Sequence, residues 1–510
     1  MSDIRALIDT NVLIALEDPG RTQPIAAELS RRCQSKNAKI FIHPAMREDF
    51  ERDRNAVRRS VSKSRMDKYP ILQPIPMPHT DLLEEKFGAI KNDNDRVDIA
   101  LLHALSLNVV DILITQDGGL HKRVRGSTLE NRVLTIADAV DWLRALHEDV
   151  ADDVSLVVQM PAYSINMEDP IFRSLESDYD GFDTWWYEKC VAEHRDCWLL
   201  RGNDGLIDGL IIRKTERGTE LGFERSKRLL KLCTFKVAAR AQGHKVGELL
   251  LRKAIWHAQL NEFDAVYVTT YPKQVMLIEL FERYGFVSAG NNGLGEIILV
   301  KNISRERVES SRPSKRSVRE NYPRFGISSP VNIYVVPVQW RFHKQLFPEI
   351  AKLVPMPLFN DDSRDESDAG RTPANTIRKV YVCRSQISSL QPGDVLFFYQ
   401  SKKEAATHSQ SLTTVGVVES VERSNDAQEL IRLTAGRSVY SEKDLRTTAL
   451  ASTKAVTNID FLLIKHLDLA IALNDLIEYG ALKAPPQSIT QLDRVGLDQI
   501  LPSMQFGFAL

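Results

Sequence analysis

Asp9 ends the apolar run Ile4-Arg-Ala-Leu-Ile8 and leads straight into Thr10-Asn11-Val12, so a short buried strand is expected to finish on a carboxylate. An acid at the carboxyl end of such a strand is a common position for an α/β active site. Glu48 opens a helix after His43-Pro44, Asp98 lies near the start of a helix from Asn94 to Leu105, and Asp117 follows the strand Ile112 to Thr115. Acids gathered at one sheet edge repel each other unless a cation joins them, and hard cations such as Mg2+ or Mn2+ take oxygen ligands. Such ions activate water and clamp a phosphodiester. Each acid also has a structural role open to it. Asp98 and Asp117 suit a helix cap and a turn, and Glu48 suits a first-turn charge.

A second kind of chemistry is written between Leu230 and Leu251. Leu230, Leu232, Cys233, Phe235 and Val237 read as a strand, Gln242-Gly243-His244-Lys245-Val246-Gly247 as a turn, and Glu248 to Leu260 as a helix. A strand that opens a helix through a glycine turn presents free N–H groups, and the helix dipole adds to their attraction for phosphate. An anion site near residues 243–248 and an ordinary strand–helix crossover both satisfy this pattern.

The elements that must hold these groups fill 510 residues, too many for one core, so roughly three or four domains are expected. A hydrophobic content of 43% and a charged content of 26% are globular values. The net charge of −1 advertises no global field for nucleic acid, although local patches can hide in a balanced total. The five cysteines form no C-x-x-C pair, which points to reduced thiols in a cytoplasmic protein rather than to disulfides or zinc. The N-terminus has Asp9 and Asn11 inside its apolar run and no cleavage site, so no signal peptide is expected, nor any membrane span. Basic residues from Arg47 to Lys68 suit an RNA backbone or a solvated helix face. The fold class expected is multidomain α/β.

Three resemblances follow from these residues. Asp9-Thr10-Asn11, Glu48, Asp98-x-x-Leu101-x-x-Ala104 and Thr115-x-Asp117 resemble, in order, the motifs of PIN nucleases. That resemblance implies a parallel-sheet α/β/α domain over 1–150. Asp9, Glu48, Asp98 and Asp117 would hold Mg2+ or Mn2+ and act in ribonuclease catalysis, with Asn11 and Thr115 in support and Asp95 in reserve. It also implies a homodimer through this domain. Gln242-x-x-Lys245-x-Gly247 with Leu250-Leu251, together with the strand Asp264 to Tyr271, the helix Val275 to Tyr284 and Gly285-Phe286, resembles the GNAT acetyltransferases. Lys245 stands where that family has its first glycine, and Phe281 where it often has a tyrosine proton donor. This resemblance covers 151–303 and implies a mixed α/β domain. Acetyl-CoA would be bound by Phe235, Val237, Gln242, Gly243, His244, Lys245, Val246, Gly247 and Glu248, with Tyr284, or Tyr271, as the nearby hydroxyl.

Residues 304–330 are rich in Arg, Lys, Ser and Pro and read as a flexible basic linker. Leu390-Gln-Pro-Gly-Asp-Val-Leu-Phe-Phe-Tyr-Gln-Ser401 and Thr414-Val-Gly-Val-Val-Glu419 resemble the ASCH and EVE members of the PUA-like domains. That implies a small β-barrel with helices over 331–510 and RNA contacts from Trp340, Arg378, Tyr399 and Ser401, residue types that stack on bases or hold a backbone. The expectation is an RNA-directed enzyme that joins a metal-dependent ribonuclease to an N-acetyltransferase whose acceptor is an amine on RNA, a protein or a small molecule. Alternatives are a protein or small-molecule N-acetyltransferase with a non-catalytic first domain, an acetyl-CoA-sensing RNA-binding regulator, and a toxin-like ribonuclease.

Overall fold

The computed structural model describes residues 4–17, 24–35, 38–51, 63–147, 157–179, 181–243, 245–308, 312–353, 376–403, 408–437, 439–452, 454–504 and 506–510. Most of the basic run between Arg47 and Lys68 lies outside these residues, as do His244, the acidic segment 359–374 and the side chain of Glu48. No helix among the described residues is long and apolar enough to cross a membrane. The chain divides into two compact units, 1–149 with 424–453, and 150–423 with 454–510.

The first unit is built on a four-stranded sheet ordered β2-β1-β3-β4, formed by β1 (Ile4–Ile8), β2 (Ala38–Phe41), β3 (Ile112–Ile114) and β4 (Val133–Leu134). All three pairings are parallel. Parallel strands are covered on both faces, which explains why Ala6, Leu7 and Ile8 and Ile112, Leu113 and Ile114 are apolar runs rather than alternating ones. Helices α1 (Thr10–Glu17), α2 (Pro24–Ser35), α3 (Met46–Glu51), α4 (Asp93–Ser106), α5 (Gly118–Arg123) and α6 (Ile136–His147) follow the strands. An Asn92–Asp95 capping box starts α4, each side chain accepting from the other residue's backbone N–H.

The chain returns to this unit at residue 424. Two short helices at 427–433 and 442–450 fall within it, although the sequence reading assigned 331–510 to a single domain. Arg432 Nε donates to Asp111 Oδ1 at 2.7 Å, and Arg5 N donates to the other oxygen at 2.8 Å. Gly436 sits at φ +70°, where a Cβ would come within 2.8 Å of Leu134 Cδ2. Contacts between residues 321 positions apart leave no local trace in the sequence. Arg432→Ala is expected to cost this unit about 1–3 kcal/mol, because the Asp111 carboxylate stays buried with one partner fewer. The check is the urea midpoint of the unit's transition.

The second unit holds two sheets. One has seven strands ordered β10-β11-β9-β8-β7-β6-β5: β5 (Val158–Pro161), β6 (Asp196–Arg201), β7 (Ile207–Arg217), β8 (Arg228–Val237), β9 (Ala265–Thr270), β10 (Val287–Asn291) and β11 (Ile297–Asn302). Only β8 and β9 run parallel within it. Helix α7 (Pro170–Asp178) packs on one face of this sheet, and α8 (Val246–Leu260) and α9 (Val275–Arg283) on the other. The other sheet has six strands ordered β13-β16-β15-β14-β12-β17: β12 (Ile333–Val338), β13 (Arg378–Cys383), β14 (Val395–Gln400), β15 (Ser411–Ser424), β16 (Val456–Ala472) and β17 (Thr490–Gln491). It is a mixed sheet, with β12 and β14 parallel.

The segment read as a flexible linker is packed between the two sheets. Helix α10 (Lys315–Asn321) buries Val318 and Arg319, and Tyr322 after it is fully buried edge-on to Tyr284 at 5.7 Å. Two of its basic residues meet buried carboxylates, while Arg305, Arg307 and Arg316 are exposed. Arg312 pairs with Asp394 at 3.0 Å, and Arg319 pairs with Glu419. Gly285, at φ +84°, lets α10 approach so closely that a Cβ there would lie 2.5 Å from Glu320 O. One apolar cluster consequently runs unbroken from Trp198 and Leu250 through Tyr322 to Phe397, Leu462 and Phe506.

Candidate functional site

The parallel pair β8–β9 is in register only from Leu229–Ala265 to Leu232–Val268. Both strands continue, β8 to Val237 and β9 to Thr270, without pairing each other further. The cause is local. On the β7 side, Ile212 faces Thr234 and Arg213 faces Leu232, so Cys233 is an extra residue that bulges. A bulge bends its strand and increases the local twist, and here it stands at the point where β8 leaves β9. The strands part just before the turn into α8.

In that turn Gly243 has φ +81° and Lys245, the N-cap of α8, has φ +59°. Lys245 thus holds the left-handed conformation that glycine adopts most easily. Among the described residues no side-chain hydrogen bond from the N-cap Lys245 closes the helix, and Leu249 N is the donor to Lys245 O at 3.1 Å. The first-turn amides, those of Val246, Gly247 and Glu248, precede the point where intrahelical bonding begins. Gly209 on β7 brings the helix close to the sheet, because a Cβ there would lie 2.6 Å from Val246 Cγ1. A Cβ on Gly247 would lie 3.0 Å from Leu280 Cδ2 and 3.7 Å from both Phe235 and Val237. Phe235, Val237, Val246 and Gly247 therefore converge where the strands part, and Gln242 and Lys245 flank them at the surface and half-buried respectively.

Two expected participants are placed differently. The Glu248 side chain is buried and its Oε1 accepts from Arg378 N at 2.9 Å, so only its backbone remains for a ligand at the helix start. Tyr284 is fully buried in the shared core against Tyr322. Phe281, at the position of the expected donor, is edge-on to Phe235 at 5.1 Å. Tyr271, just past the end of β9, is half-buried, and its ring meets Tyr179 at 5.5 Å.

The four residues expected to touch RNA divide in two. Arg378 is buried, its Nε 2.9 Å from Glu419 Oε2, and Tyr399 is buried on β14, between β12 and β15 in the six-stranded sheet. Strands enclosed on both faces bury every side chain, so an alternating reading cannot show which point outward. Trp340, at the start of α11 (Trp340–Leu346), is 39% exposed, with Lys344 Nζ 5.9 Å and Lys403 Nζ 5.6 Å from its ring centroid. Ser401 is half-buried at the end of β14, two positions from Lys403, and its N–H donates to Val338 O.

In the first unit, Asp9 Oδ1 accepts from Thr10 N at 2.6 Å, and Oδ2 accepts from Asn11 Nδ2 at 2.5 Å and Thr115 Oγ1 at 2.8 Å. Asp117 Oδ1 caps α5 through Gly119 N at 2.7 Å. Asp95 is paired with Arg123. Asp98 is near enough to feel its neighbours. Burial, then the carboxylates of Asp117 and Asp9, push its carboxyl up to about 7. Among the described residues, however, no group of three or more His, Cys, Asp or Glu side chains could hold a metal ion. The Glu48 side chain lies outside the described residues, so the expected four-acid Mg2+ or Mn2+ set is described only in part. Asp9 and Asp117 accept hydrogen bonds from Asn11, Thr115 and the backbone N–H groups of Thr10 and Gly119.

A raised acid means that the folded state holds the proton over a window in which the unfolded chain has lost it. Stability from Asp98 therefore falls as pH rises from about 4 to about 7. Asp98→Asn is expected to stabilise the first unit by roughly 1–2 kcal/mol at pH 8, with no gain near pH 4. Thermal unfolding at the two pH values checks it.

No family model matches the chain, and no curated protein matches it. Among solved structures, an ASCH protein from Zymomonas mobilis is similar over 34% of this chain and 96% of its own, at 18% identity and a TM-score of 0.24. A putative acyl-CoA N-acyltransferase from Klebsiella pneumoniae is similar over 29% of this chain and 99% of its own, at 15% identity and a TM-score of 0.22. A GNAT-family acetyltransferase from Streptococcus pneumoniae is similar over 30% of this chain and 100% of its own, at 16% identity and a TM-score of 0.24.

Proposed function

We propose that the chain is an acetyl-CoA-dependent N-acyltransferase that acts on an RNA-bound or RNA-borne amine. The observation that carries this reading is the parting of β8 from β9 at the Cys233 bulge, ahead of the glycine-containing turn that opens α8. An extended amide-bearing arm suits the main-chain edge that β8 exposes beyond Leu232, and a pyrophosphate suits the amides of residues 246–248 with the helix dipole behind them. The fit is supported by Gly247, where a side chain would fill the space between Leu280, Phe235 and Val237.

Acetyl-CoA, when bound, supplies a thioester open to attack by an amine. The chain's part is position and proton handling. Separated strands aim the acceptor at one face of the opening, which replaces a bimolecular encounter by a fixed geometry. Tyr271, on β9's open end, offers its hydroxyl as proton donor to the departing sulfur. RNA affinity is assigned to Trp340 with Lys344 and Lys403, since an exposed ring stacks on any base and lysines hold its phosphates. The first unit enters as an acid-lined module, in which Asp9 and Asp117 stand near enough to Asp98 to raise its carboxyl.

The test is release of free CoA from acetyl-CoA by the full-length protein with an RNA pool and a panel of amines. Acceptor-dependent release that falls at least ten-fold in Tyr271→Phe supports the reading. Release that is absent with every acceptor, from protein that retains acetyl-CoA, contradicts it.

A further inference from the structure

We propose that acetyl-CoA and single-stranded RNA bind this chain cooperatively, each tightening the other, through a buried ion cluster centred on Glu349. This rests on the transferase reading and on the RNA patch at Trp340, and it names how the two sites regulate each other.

The cluster joins the two helices that carry those sites. Glu248 lies in the first turn of α8, and Arg252 follows one turn later. Both side chains reach toward the six-stranded sheet. Glu248 Oε1 accepts from Arg378 N at 2.9 Å, at the start of β13. Arg252 Nη1 donates at 3.1 Å to Oε1 of Glu349, on α12 (Pro348–Leu353). Lys379, the next residue of β13, donates from Nζ to Leu346 O at 2.8 Å. Leu346 is the last residue of α11, the helix that begins with the exposed Trp340 and carries Lys344. Two links therefore connect the start of α8 with the end of α11, one through β13 and one through Glu349 on the helix that follows.

Glu349 supplies the two states that cooperativity requires. Its carboxylate is buried, with Arg252 on Oε1. Oε2 accepts no hydrogen bond among the described residues, with His466 Nε2 at 3.5 Å and Lys379 Nζ at 4.0 Å. Burial pushes this carboxyl up, but Lys379, His466 and Arg252 outweigh it and hold it well below the usual carboxylate range. A buried carboxylate that loses one cation draws in the next, because an unpaired charge in the core is costly. When Arg252 withdraws with α8, Lys379 closes on Oε2, a move of about 1 Å to hydrogen-bond distance. The anchor at Leu346 changes with it. His343 Nε2 lies 2.7 Å from Thr413 Oγ1 and pins α11 midway, so a displacement at Leu346 tilts the Trp340 end.

An anion on the first-turn amides fixes the start of α8 and favours the state with Arg252 on Glu349. RNA stacked on Trp340 favours the same state, in which Lys379 holds the far end of α11. Each ligand stabilises the arrangement that the other binds, and the coupling is reciprocal. Direct electrostatics have the opposite sign, since acetyl-CoA and RNA are both anions and repel each other. Tightening therefore comes from the protein between them.

The test is calorimetric titration of a single-stranded uridine oligonucleotide into the full-length protein at pH 7, with and without saturating acetyl-CoA, and then the reverse order. Uracil has no amino group, so no acetyl group is consumed. The expected result is an oligonucleotide Kd lowered about five-fold or more by acetyl-CoA, with the same factor in the reverse order. Glu349→Gln, which keeps the shape and removes the charge, should bind each ligand alone within about three-fold and bring the coupling factor to about one. If that variant does not fold, hydrogen exchange in the wild type decides: slower exchange at 343–350 with acetyl-CoA alone supports the inference, and unchanged exchange overturns it. Ligands that bind without affecting each other, or that weaken each other, overturn the inference and leave the transferase standing. A coupling factor unchanged in folded Glu349→Gln also overturns it. An oligonucleotide that does not bind overturns the RNA patch and this inference. Failure to bind acetyl-CoA overturns the transferase reading and this inference together.

Discussion

Gly247→Val abolishes measurable acetyl-CoA binding, an expected loss of at least about 100-fold or roughly 2.7 kcal/mol, while the protein stays folded. The two halves of this expectation have separate causes. A Cβ at 247 meets Leu280 Cδ2 at 3.0 Å, the far end of a flexible side chain, so the helix accommodates the change by a small shift of that leucine. Replacing glycine inside a helix also recovers up to about 1 kcal/mol of propensity, less for a β-branched residue. Binding has no such relief. The new side chain occupies the space bounded by Phe235, Val237 and Leu280, beside the first-turn amides to which the anion must come. Calorimetry of wild type and variant, with circular dichroism to confirm the fold, separates the two effects. Gly247→Ala should fall between them.

Glu419→Ala produces the largest loss of stability, about 3–5 kcal/mol for the second unit. The Glu419 carboxylate is fully buried between two buried guanidiniums, with Arg319 on one oxygen and Arg378 at 2.9 Å on the other. Burial by itself pushes this carboxyl up, but Arg319 and Arg378 outweigh it and hold the group well below the usual carboxylate range. Removing it leaves two positive charges in the core with no counter-charge. A depressed acid contributes stability that is complete above its unfolded value of about 4.3 and is lost as pH falls toward the folded one. The wild-type urea midpoint should therefore drop as pH is lowered below about 4, and Glu419→Ala should show a shallower drop. The consequence reaches α8, because Arg378 N is the donor that holds its Glu248 side chain.

Much of this was legible along the chain where the signal is local. The β8–turn–α8 sequence announces itself by a strand run, a glycine turn and a helical run, and Asp9 was placed at a strand end by the apolar residues before it. Lys245, where the expected pattern has a glycine, has its backbone at φ +59°, a conformation that its side-chain type does not announce. What was not legible depends on partners distant in sequence. Arg319 and Arg312 read as solvated linker charges because Glu419 and Asp394 lie far along the chain. Tyr284 and Tyr399 have polar tips that suggest function, but nothing local says that both faces of their elements are covered. The helices at 427–433 and 442–450 are short amphipathic pieces whose sequence does not say which unit they cover. The bulge at Cys233 has no composition signal at all, although it is what separates the strands.

The most direct measurement is calorimetric titration of acetyl-CoA into the full-length protein. The account predicts saturable one-to-one binding in the micromolar range, lost in Gly247→Val and retained in Tyr271→Phe, with free CoA competing for the same site. An absence of binding heat, with no protection of the 243–248 amides from hydrogen exchange at millimolar acetyl-CoA, would contradict it.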